Sequence, residues 1–325
     1  MDCTAGNIFF FGWELKLMEW LQALFGEKLG ATIGYLSILG EGVFIVFIVG
    51  IFYWGIDKEM GEYLGRNILI GSTWSPMIKN VFLRRRPYFD DPKLKILRII
   101  DKNGEMYDTV SQGFSFPSSH STASVTMYSA LPLYKGSTRD RYNKFKKLFI
   151  IAAFAFPFLV GFSRVIVGAH YPTDVLAGWT LGTVVILLIP RIYDRIGNDF
   201  IFAAIIIAVS LPGFFFCRSN DYFTCLGLLV GFLIATALER KYVQFENTSR
   251  ISVIIIRIAL GMGLFLALQV LLKLPFSKEF LETGSLGSHF VRFMRYAIIA
   301  FVVFFVYPMF FDISRIKNHF NKKMR

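Results

Sequence analysis

The sequence predicts an all-α protein that crosses a membrane many times, as a polytopic bundle of transmembrane helices. Hydrophobic residues make up 54% of the 325 residues, aromatic residues make up 17%, and the mean hydropathy is +0.52. Several apolar runs approach or exceed the length that crosses about 30 Å of hydrocarbon. These runs are continuous and do not alternate with polar residues, which favours helices over the strands of a membrane barrel.

The N-terminal segment differs from the spans that follow it. Residues 8–26 mix Glu14, Lys16 and Glu19 with aromatic side chains, a composition typical of an amphipathic helix in the membrane interface. We therefore assign residues 1–30 to an interfacial helix. Nine candidate spans follow, at residues 31–54, 67–83, 117–134, 148–167, 175–193, 200–216, 223–238, 251–272 and 295–311.

The net charge of +12 is concentrated in short loops between the spans. The most basic of these loops covers residues 135–147, and an excess of Lys and Arg marks the cytoplasmic side of a membrane. With nine spans, this loop and the basic C-terminal tail lie on the same side, whereas the long loop at residues 84–116 faces the other side. We expect a multi-pass protein, from a bacterial cytoplasmic membrane, that has no nucleic-acid partner.

The most informative stretch joins the fourth and fifth predicted spans. His170 directly precedes a helix start marked by Pro172, whose missing N–H is not needed in a first turn. Asp174 follows four residues later, within reach of one His170 ring nitrogen. A carboxylate there would fix the tautomer and leave the other nitrogen free to attack or to accept a proton. An ordinary interfacial loop with a structural histidine is the alternative for this stretch taken alone.

Two further stretches bring charge and polar groups to the same predicted face. Residues 79–87 hold a lysine and three arginines, and residues 117–121 offer hydroxyls and backbone N–H groups at a helix start. Phosphoryl transfer needs fixed positive charge on the phosphate oxygens, a nucleophile and an acid, and two histidines can divide the last two tasks. The sequence has no evident Asp/Glu cluster suited to Mg²⁺, so we expect neither a metal nor another cofactor.

These stretches match a known signature in order and spacing. The matching residues are Lys79, Arg86 and Pro87; Pro117, Ser118, Ser119 and His120; and Ser163, Arg164, His170 and Asp174. The combination resembles the three-part signature of the type 2 phosphatidic acid phosphatase superfamily, whose fold is shared with vanadium haloperoxidases. The resemblance covers residues 31–196, taken as the phosphatase core, and leaves residues 197–325 as additional spans and a basic cytoplasmic tail. Ser119 departs from the commonest pattern, which has glycine there.

The resemblance implies a role for each matching polar residue. His170 would attack phosphorus and form a phosphohistidine, Asp174 would orient His170, and His120 would protonate the leaving alkoxide. The phosphate oxygens would be bound by Lys79, Arg86, Arg164, Ser118 and Ser119. The implied activity is metal-independent hydrolysis of a lipid phosphate or diphosphate monoester, on the non-cytoplasmic face of the membrane.

Two other functions stay open at this point. A lipid phosphotransferase would use the same residues and pass the phosphoryl group to an acceptor other than water. A non-catalytic transporter or lipid-binding protein would need only the cations, so the two histidines and Asp174 argue against it. The sequence selects neither the lipid substrate nor the oligomeric state.

Several polar residues outside the signature are expected to have ordinary roles. Glu41 lies inside the first predicted span and is expected to be protonated or hydrogen-bonded between helices. Arg84 and Arg85 are expected to be solvated or to face lipid head groups. A disulfide between Cys217 and Cys225 is the less favoured alternative to two free thiols.

Overall fold

The computed structural model describes residues 6–97 and 112–311, so most of the predicted basic tail lies outside the described residues. The chain is 80% helical, and the described residues contain no β-strand. This confirms the predicted all-α fold. The main helices are α1 (Gly12–Gly34), α2 (Gly42–Gly50), α3 (Lys58–Phe82), α4 (Ser119–Ser124), α5 (Lys146–Ile166), α6 (Pro172–Ile196), α7 (Asp199–Ser210), α8 (Asn220–Leu238), α9 (Ile251–Leu271) and α10 (Leu286–Phe301).

Seven helical stretches within the described residues are long and apolar enough to cross a membrane. They are Gly12–Ile56, Arg139–Ile166, Pro172–Ile196, Asp199–Phe216, Asn220–Val243, Ile251–Leu271 and Leu286–Phe311. Each of them contains or overlaps one of the predicted spans. The chain is therefore a multi-pass integral membrane protein.

The other two predicted spans, residues 67–83 and 117–134, are shorter or less apolar. Helix α3 has 25 residues but carries several charged side chains, and α4 continues only as a short π-helical stretch, Val125–Ser129. Every residue of α3 from Met60 to Gly71 is buried. A helix enclosed by other helices does not face lipid, so it can be more polar than an outer span. The count of nine spans stays a prediction.

The N-terminal helix α1 kinks at Gly26, where φ is +66°, and continues past the boundary that we placed at residue 30. One face of α1 buries Glu14, Met18 and Leu21. The opposite face exposes large apolar residues at helical spacing: Trp13, Leu17, Trp20 and Leu24. Such a stripe suits a helix that lies against the bilayer surface. The interfacial position of this segment stays a prediction.

Two glycines one helical turn apart bring α4 close to α6. A Cβ added at Gly178 would lie 2.5 Å from the Ser118 carbonyl oxygen, and one added at Gly182 would lie 2.7 Å from Val125 Cβ. Small residues at this spacing let two helix backbones approach closely, as they do between membrane helices. The crossing holds α4, which carries His120, against the first half of α6.

The helices after α6 pack directly on the earlier ones. Gly227 and Gly231 of α8 repeat the same spacing against α10, and a Cβ added at Gly231 would lie 2.2 Å from the Ala297 carbonyl oxygen. Helix α8 also packs on α3, where the Phe232 ring fills the space beside Gly65. One hydrophobic core includes residues from both sides of the division after α6. The predicted phosphatase core and the additional spans are therefore separate parts of the sequence, but they pack around one shared hydrophobic core.

The α4–α6 crossing gives the first testable prediction. Gly178→Ala should lower the thermal unfolding midpoint in detergent, because the new Cβ meets a backbone carbonyl that no rotamer change can move. The expected cost is that of overpacking, about 1–3 kcal/mol. Gly263→Ala is the matched control, since its Cβ would meet no atom within 4 Å. Equal midpoints for the two variants would show that the crossing tolerates more space than the structure implies.

Candidate active site

The third motif forms the turn between α5 and α6. Helix α5 ends at Ile166, and Gly168 has a φ of +73°, a conformation that suits glycine. The backbone N–H groups of Ala169 and His170 donate to the Arg164 carbonyl at 3.1 and 3.2 Å. The turn therefore fixes the backbone of His170 directly beside that of Arg164.

His170 and Asp174 lie side by side, as predicted from their spacing. Nδ1 of His170 is 3.5 Å from Oδ2 of Asp174, and both side chains are almost completely buried. The Tyr171 N–H donates to the same oxygen of Asp174 at 2.8 Å. The Ser115 hydroxyl also donates to it and lies 3.4 Å from His170 Nδ1. Asp174 and Ser115 thus face Nδ1, and Nε2 is the ring nitrogen turned away from them.

Arg84 is part of this cluster, so the expectation that it is solvated was wrong. Its side chain is only 1% exposed, and Nη1 donates to Asp174 Oδ1 at 2.6 Å and to Thr173 Oγ1 at 2.7 Å. The guanidinium also stacks on the Tyr171 ring, 4.0 Å from its centroid. The physical reason is that the chain after α3 passes beneath the N-terminal segment, where the Arg85 N–H donates to the Asn7 carbonyl at 3.1 Å. This path turns Arg84 inward.

Glu14 of α1 completes the buried ion chain and was not identified from the sequence. Its Oε2 lies 3.0 Å from Arg84 Nη2, and its Oε1 accepts from the N–H and hydroxyl of Thr173 at 3.1 and 2.6 Å. The sequence places Glu14 in a mixed aromatic segment, and its partner is 70 residues away. No local pattern relates the two residues.

Arg85, the neighbour of Arg84, lies outside this ion chain. Its guanidinium pairs with Asp90, and its side chain is 18% exposed. It is thus less exposed than expected, but it does not contact Asp174 or Glu14 in the interactions described above.

Lys79 and Arg86 of the first motif are buried and held by backbone carbonyls. Lys79 Nζ donates to the carbonyls of Phe114 and Ser115 at 2.9 and 3.1 Å. Arg86 donates to those of Gln112, Gly113 and Ala169. The segment before α4 and the turn before α6 therefore fix the positions of both cations.

The charges of the first and third motifs act on His170. Burial is the main reason that the pKa of His170 lies well below its usual value; the charges of Lys79, Arg86 and Arg164 and the His120 ring lower it further. His170 is therefore a neutral imidazole near pH 7. The structure brings these predicted residues close enough together to interact electrostatically.

The second motif places its three polar residues in different surroundings. Ser118 is fully buried and caps α4: its Oγ accepts from the Ser121 hydroxyl at 2.9 Å, and its backbone N–H donates to the Asp174 carbonyl. The phosphate contact expected for Ser118 stays a prediction. Ser119 begins α4, and its hydroxyl lies 2.9 Å from that of Ser75 in α3.

His120 pairs with Glu41, the acid of the first predicted span. Its Nε2 lies 3.1 Å from Glu41 Oε2. Gly40 lets the segment that carries Glu41 approach α4, because a Cβ there would lie 2.9 Å from the His120 carbonyl oxygen. Glu41 does bond to another helix, as expected, but its partner is a signature histidine. Both candidate histidines thus have a carboxylate partner.

Within residues 6–97 and 112–311, no group of three or more His, Cys, Asp or Glu side chains is arranged to hold a metal ion. Cys217 and Cys225 are free thiols.

Comparison with known proteins agrees with this geometry. Residues 62–197 match the family model of the PAP2 superfamily, and residues 223–319 match that of the PAP2 superfamily phosphatase, transmembrane extension. The first match includes every residue of the three motifs, and the second covers α8 from its fourth residue onward together with α9 and α10. No solved structure matches the chain.

Three curated relatives are similar to part of the chain. Phosphatidylglycerophosphatase B of Bacillus subtilis is 36% identical over 83 residues, which is 26% of this chain and 41% of the relative. The lipid A 1-phosphatases of Rhizobium etli and Rhizobium johnstonii are 29% and 36% identical over 139 residues, which is 42% of this chain and 52% and 50% of those proteins. The chain thus spans about half the length of these relatives or less.

The two family models together match well over half of the chain. The first covers the three motifs of the candidate site, and the second covers the C-terminal helices. The chain belongs to the PAP2 superfamily.

Proposed function

We propose that this protein is an integral membrane phosphatase that removes a phosphate from a lipid phosphate or diphosphate through a phosphohistidine intermediate. The observation that carries the proposal is the contact between His170 and Asp174. The buried imidazole has the carboxylate 3.5 Å from Nδ1, and Arg86 is held by the carbonyl of Ala169, the residue before His170. A ring nitrogen turned away from its carboxylate, near basic side chains, is suited to attack a phosphate group.

In the first step, Nε2 of His170 attacks phosphorus while the bond to the ester oxygen breaks. The proton on Nδ1 stays on the ring and is held by Asp174, which balances the charge that the ring gains. His120 gives a proton to the leaving oxygen. In the second step, water gives its proton to His120 and its oxygen to phosphorus, the bond from phosphorus to nitrogen breaks, and His170 returns to its neutral form.

The cations act on the transition state. Lys79 and Arg86 are held by carbonyl groups before any substrate binds, so little reorganisation is needed as charge shifts onto the phosphoryl oxygens. Arg164 shares the turn of His170. Because side chains supply this positive charge, we propose that the reaction needs no metal ion.

The relatives suggest the class of substrate. Phosphatidylglycerophosphatase B and lipid A 1-phosphatase are, by name, phosphatases of lipids. The cluster around Glu14 lies under a segment with exposed apolar side chains, including Phe9, Phe10 and Phe11. A lipid substrate could keep its tail in the bilayer beside this segment while its phosphate enters the site.

Phosphate release by the purified chain tests the proposal. We expect release from a panel of lipid phosphates in excess EDTA, and a loss of at least about a thousandfold in His170→Ala, since the nucleophile is removed. His289→Gln is the matched control, because His289 is also buried but stacks on Phe223 far from the motifs in sequence. Activity that persists in folded His170→Ala would refute the nucleophile assignment. Activity that chelation removes and Mg²⁺ restores would refute metal independence.

The ion chain predicts different effects for the two adjacent arginines. Arg84→Gln leaves Asp174 and Glu14 without their shared cation, so kcat should fall about a hundredfold while KM changes little, on the scale of breaking one partner of a buried pair. Arg85→Gln removes only the pair with Asp90 and should change kcat less than about threefold. Steady-state kinetics and thermal unfolding separate catalysis from stability. Equal kcat values would show that Arg84 does not position Asp174.

We further propose that the site faces the non-cytoplasmic side, because the basic loop at residues 135–147 lies at the other end of α5. Lys93 and Lys144 lie near opposite ends of α5. Lys93 belongs to the segment whose Leu97 N–H donates to the Val167 carbonyl, just after the end of α5, whereas Lys144 lies just before its start. In a background without the native cysteines, Lys93→Cys should react with a membrane-impermeant thiol reagent on intact cells. Lys144→Cys should be protected. The reverse pattern would place the site in the cytoplasm.

A further inference from the structure

A second charged cavity lies at the other end of the same helices. Its volume is about 340 Å³, and it is lined by the start of α3, the end of α6, residues 133–137 and Arg240. Arg66 lies there on α3, thirteen residues before Lys79, which corresponds to roughly 20 Å along a helix. The cavity is therefore separate from the candidate active site.

Arg66 is the unusual residue of this cavity. It is 8% exposed, its guanidinium lies 3.9 Å from the centroid of the Tyr193 ring, and Nη1 is 3.5 Å from Glu62 Oε2. Its side chain makes no hydrogen bond within the described part of the chain. A guanidinium has five N–H donors, and Arg66 lines the cavity. Apart from the ion pair with Glu62, its donors are therefore available to a ligand in the cavity.

The neighbouring acids supply acceptor oxygens only in part. The Glu62 oxygen that pairs with Arg66 also accepts from Arg240 Nε at 2.6 Å, and Glu59 accepts from the backbone N–H of Ser137. The cavity walls hold four cationic residues and two acidic ones: Arg66, Lys135, Arg191 and Arg240 against Glu59 and Asp194. Glu62 and Asp199 pair with Arg66 and Arg240 from outside the lining, so Lys135 and Arg191 are the lining cations with no ion-pair partner in residues 6–97 and 112–311.

The remaining walls are apolar and partly open. Leu133 and Leu187 line the cavity and are 40% and 39% exposed. A volume of about 340 Å³ is within the range of small-ligand pockets and exceeds what a bare phosphate ion fills. A head group that enters from the bilayer would satisfy both the cations and these side chains.

We propose that this cavity binds a phosphate-bearing anion whose oxygens accept hydrogen bonds from Arg66. The ligand chemistry is a phosphate group, either in the head group of an anionic phospholipid or as free phosphate, and the size of the cavity favours the head group. The proposal does not depend on the proposed phosphatase activity, because it uses none of the signature residues.

Lipid binding to the full chain in detergent, measured by native mass spectrometry, tests the proposal. Phosphatidylglycerol should bind more tightly than diacylglycerol, which lacks phosphate. Its Kd should rise about tenfold in Arg66→Gln, the scale of losing hydrogen bonds to a charged group. Phosphatidylglycerol binding that Arg86→Gln weakens and Arg66→Gln does not would assign the lipid to the candidate active site and overturn the proposal. Inorganic phosphate that binds with the same dependence on Arg66 and displaces the lipid would identify free phosphate as the source.

A second variant guards against misfolding of Arg66→Gln. Lys135 and Arg191 are exposed at the cavity, so Lys135→Gln/Arg191→Gln should fold and still weaken phosphatidylglycerol binding several-fold. Lys144→Gln removes an exposed charge from the same basic loop but not from the cavity, and it should bind as the unaltered chain does. Equal binding of diacylglycerol and phosphatidylglycerol, or unchanged binding in both cavity variants, would overturn the proposal.

Discussion

The buried carboxylate of Asp174 is the group on which the arrangement of the site depends. A carboxylate removed from water is tolerated only when its charge is paired and its oxygens accept hydrogen bonds. Here one oxygen accepts from Arg84, and the other accepts from Ser115 and from the Tyr171 N–H. These donors belong to the chain after α3, the segment before α4 and the start of α6. Satisfying one charge therefore fixes three parts of the chain around His170.

Arg84 extends the same requirement to the N-terminus. Its guanidinium has more N–H donors than the single Asp174 oxygen beside it can accept, and Glu14 provides a second carboxylate. Because Glu14 lies on α1, the N-terminal helix is tied to the first turn of α6. A segment that the sequence predicts as an accessory interfacial helix is in this way part of the support of the candidate site.

The outer spans could be predicted because contact with lipid requires long apolar runs, whereas the enclosed helices α3 and α4 follow no such rule. The signature residues could be identified because their spacing is local. Their supports could not, since Arg84 pairs with Glu14 across 70 residues and His120 with Glu41 across 79. The sequence around a charged residue near a motif does not indicate whether its side chain points into the protein or toward solvent. This depends on the path of the backbone in the folded structure.

Helices α3 and α6 contribute residues both to the candidate active site and to the opposite cavity. Over roughly 20 Å, two unit charges in a partly polar protein interact by less than about 1 kcal/mol, so an anion at one end gains little from the cations at the other. Coupling would need α3 to move along its axis. The contacts of Gly61 with the Tyr53 backbone and of Gly65 with the Phe232 ring oppose such sliding, because any displacement brings larger side chains into these narrow spaces. The two proposed anion sites are therefore expected to act independently.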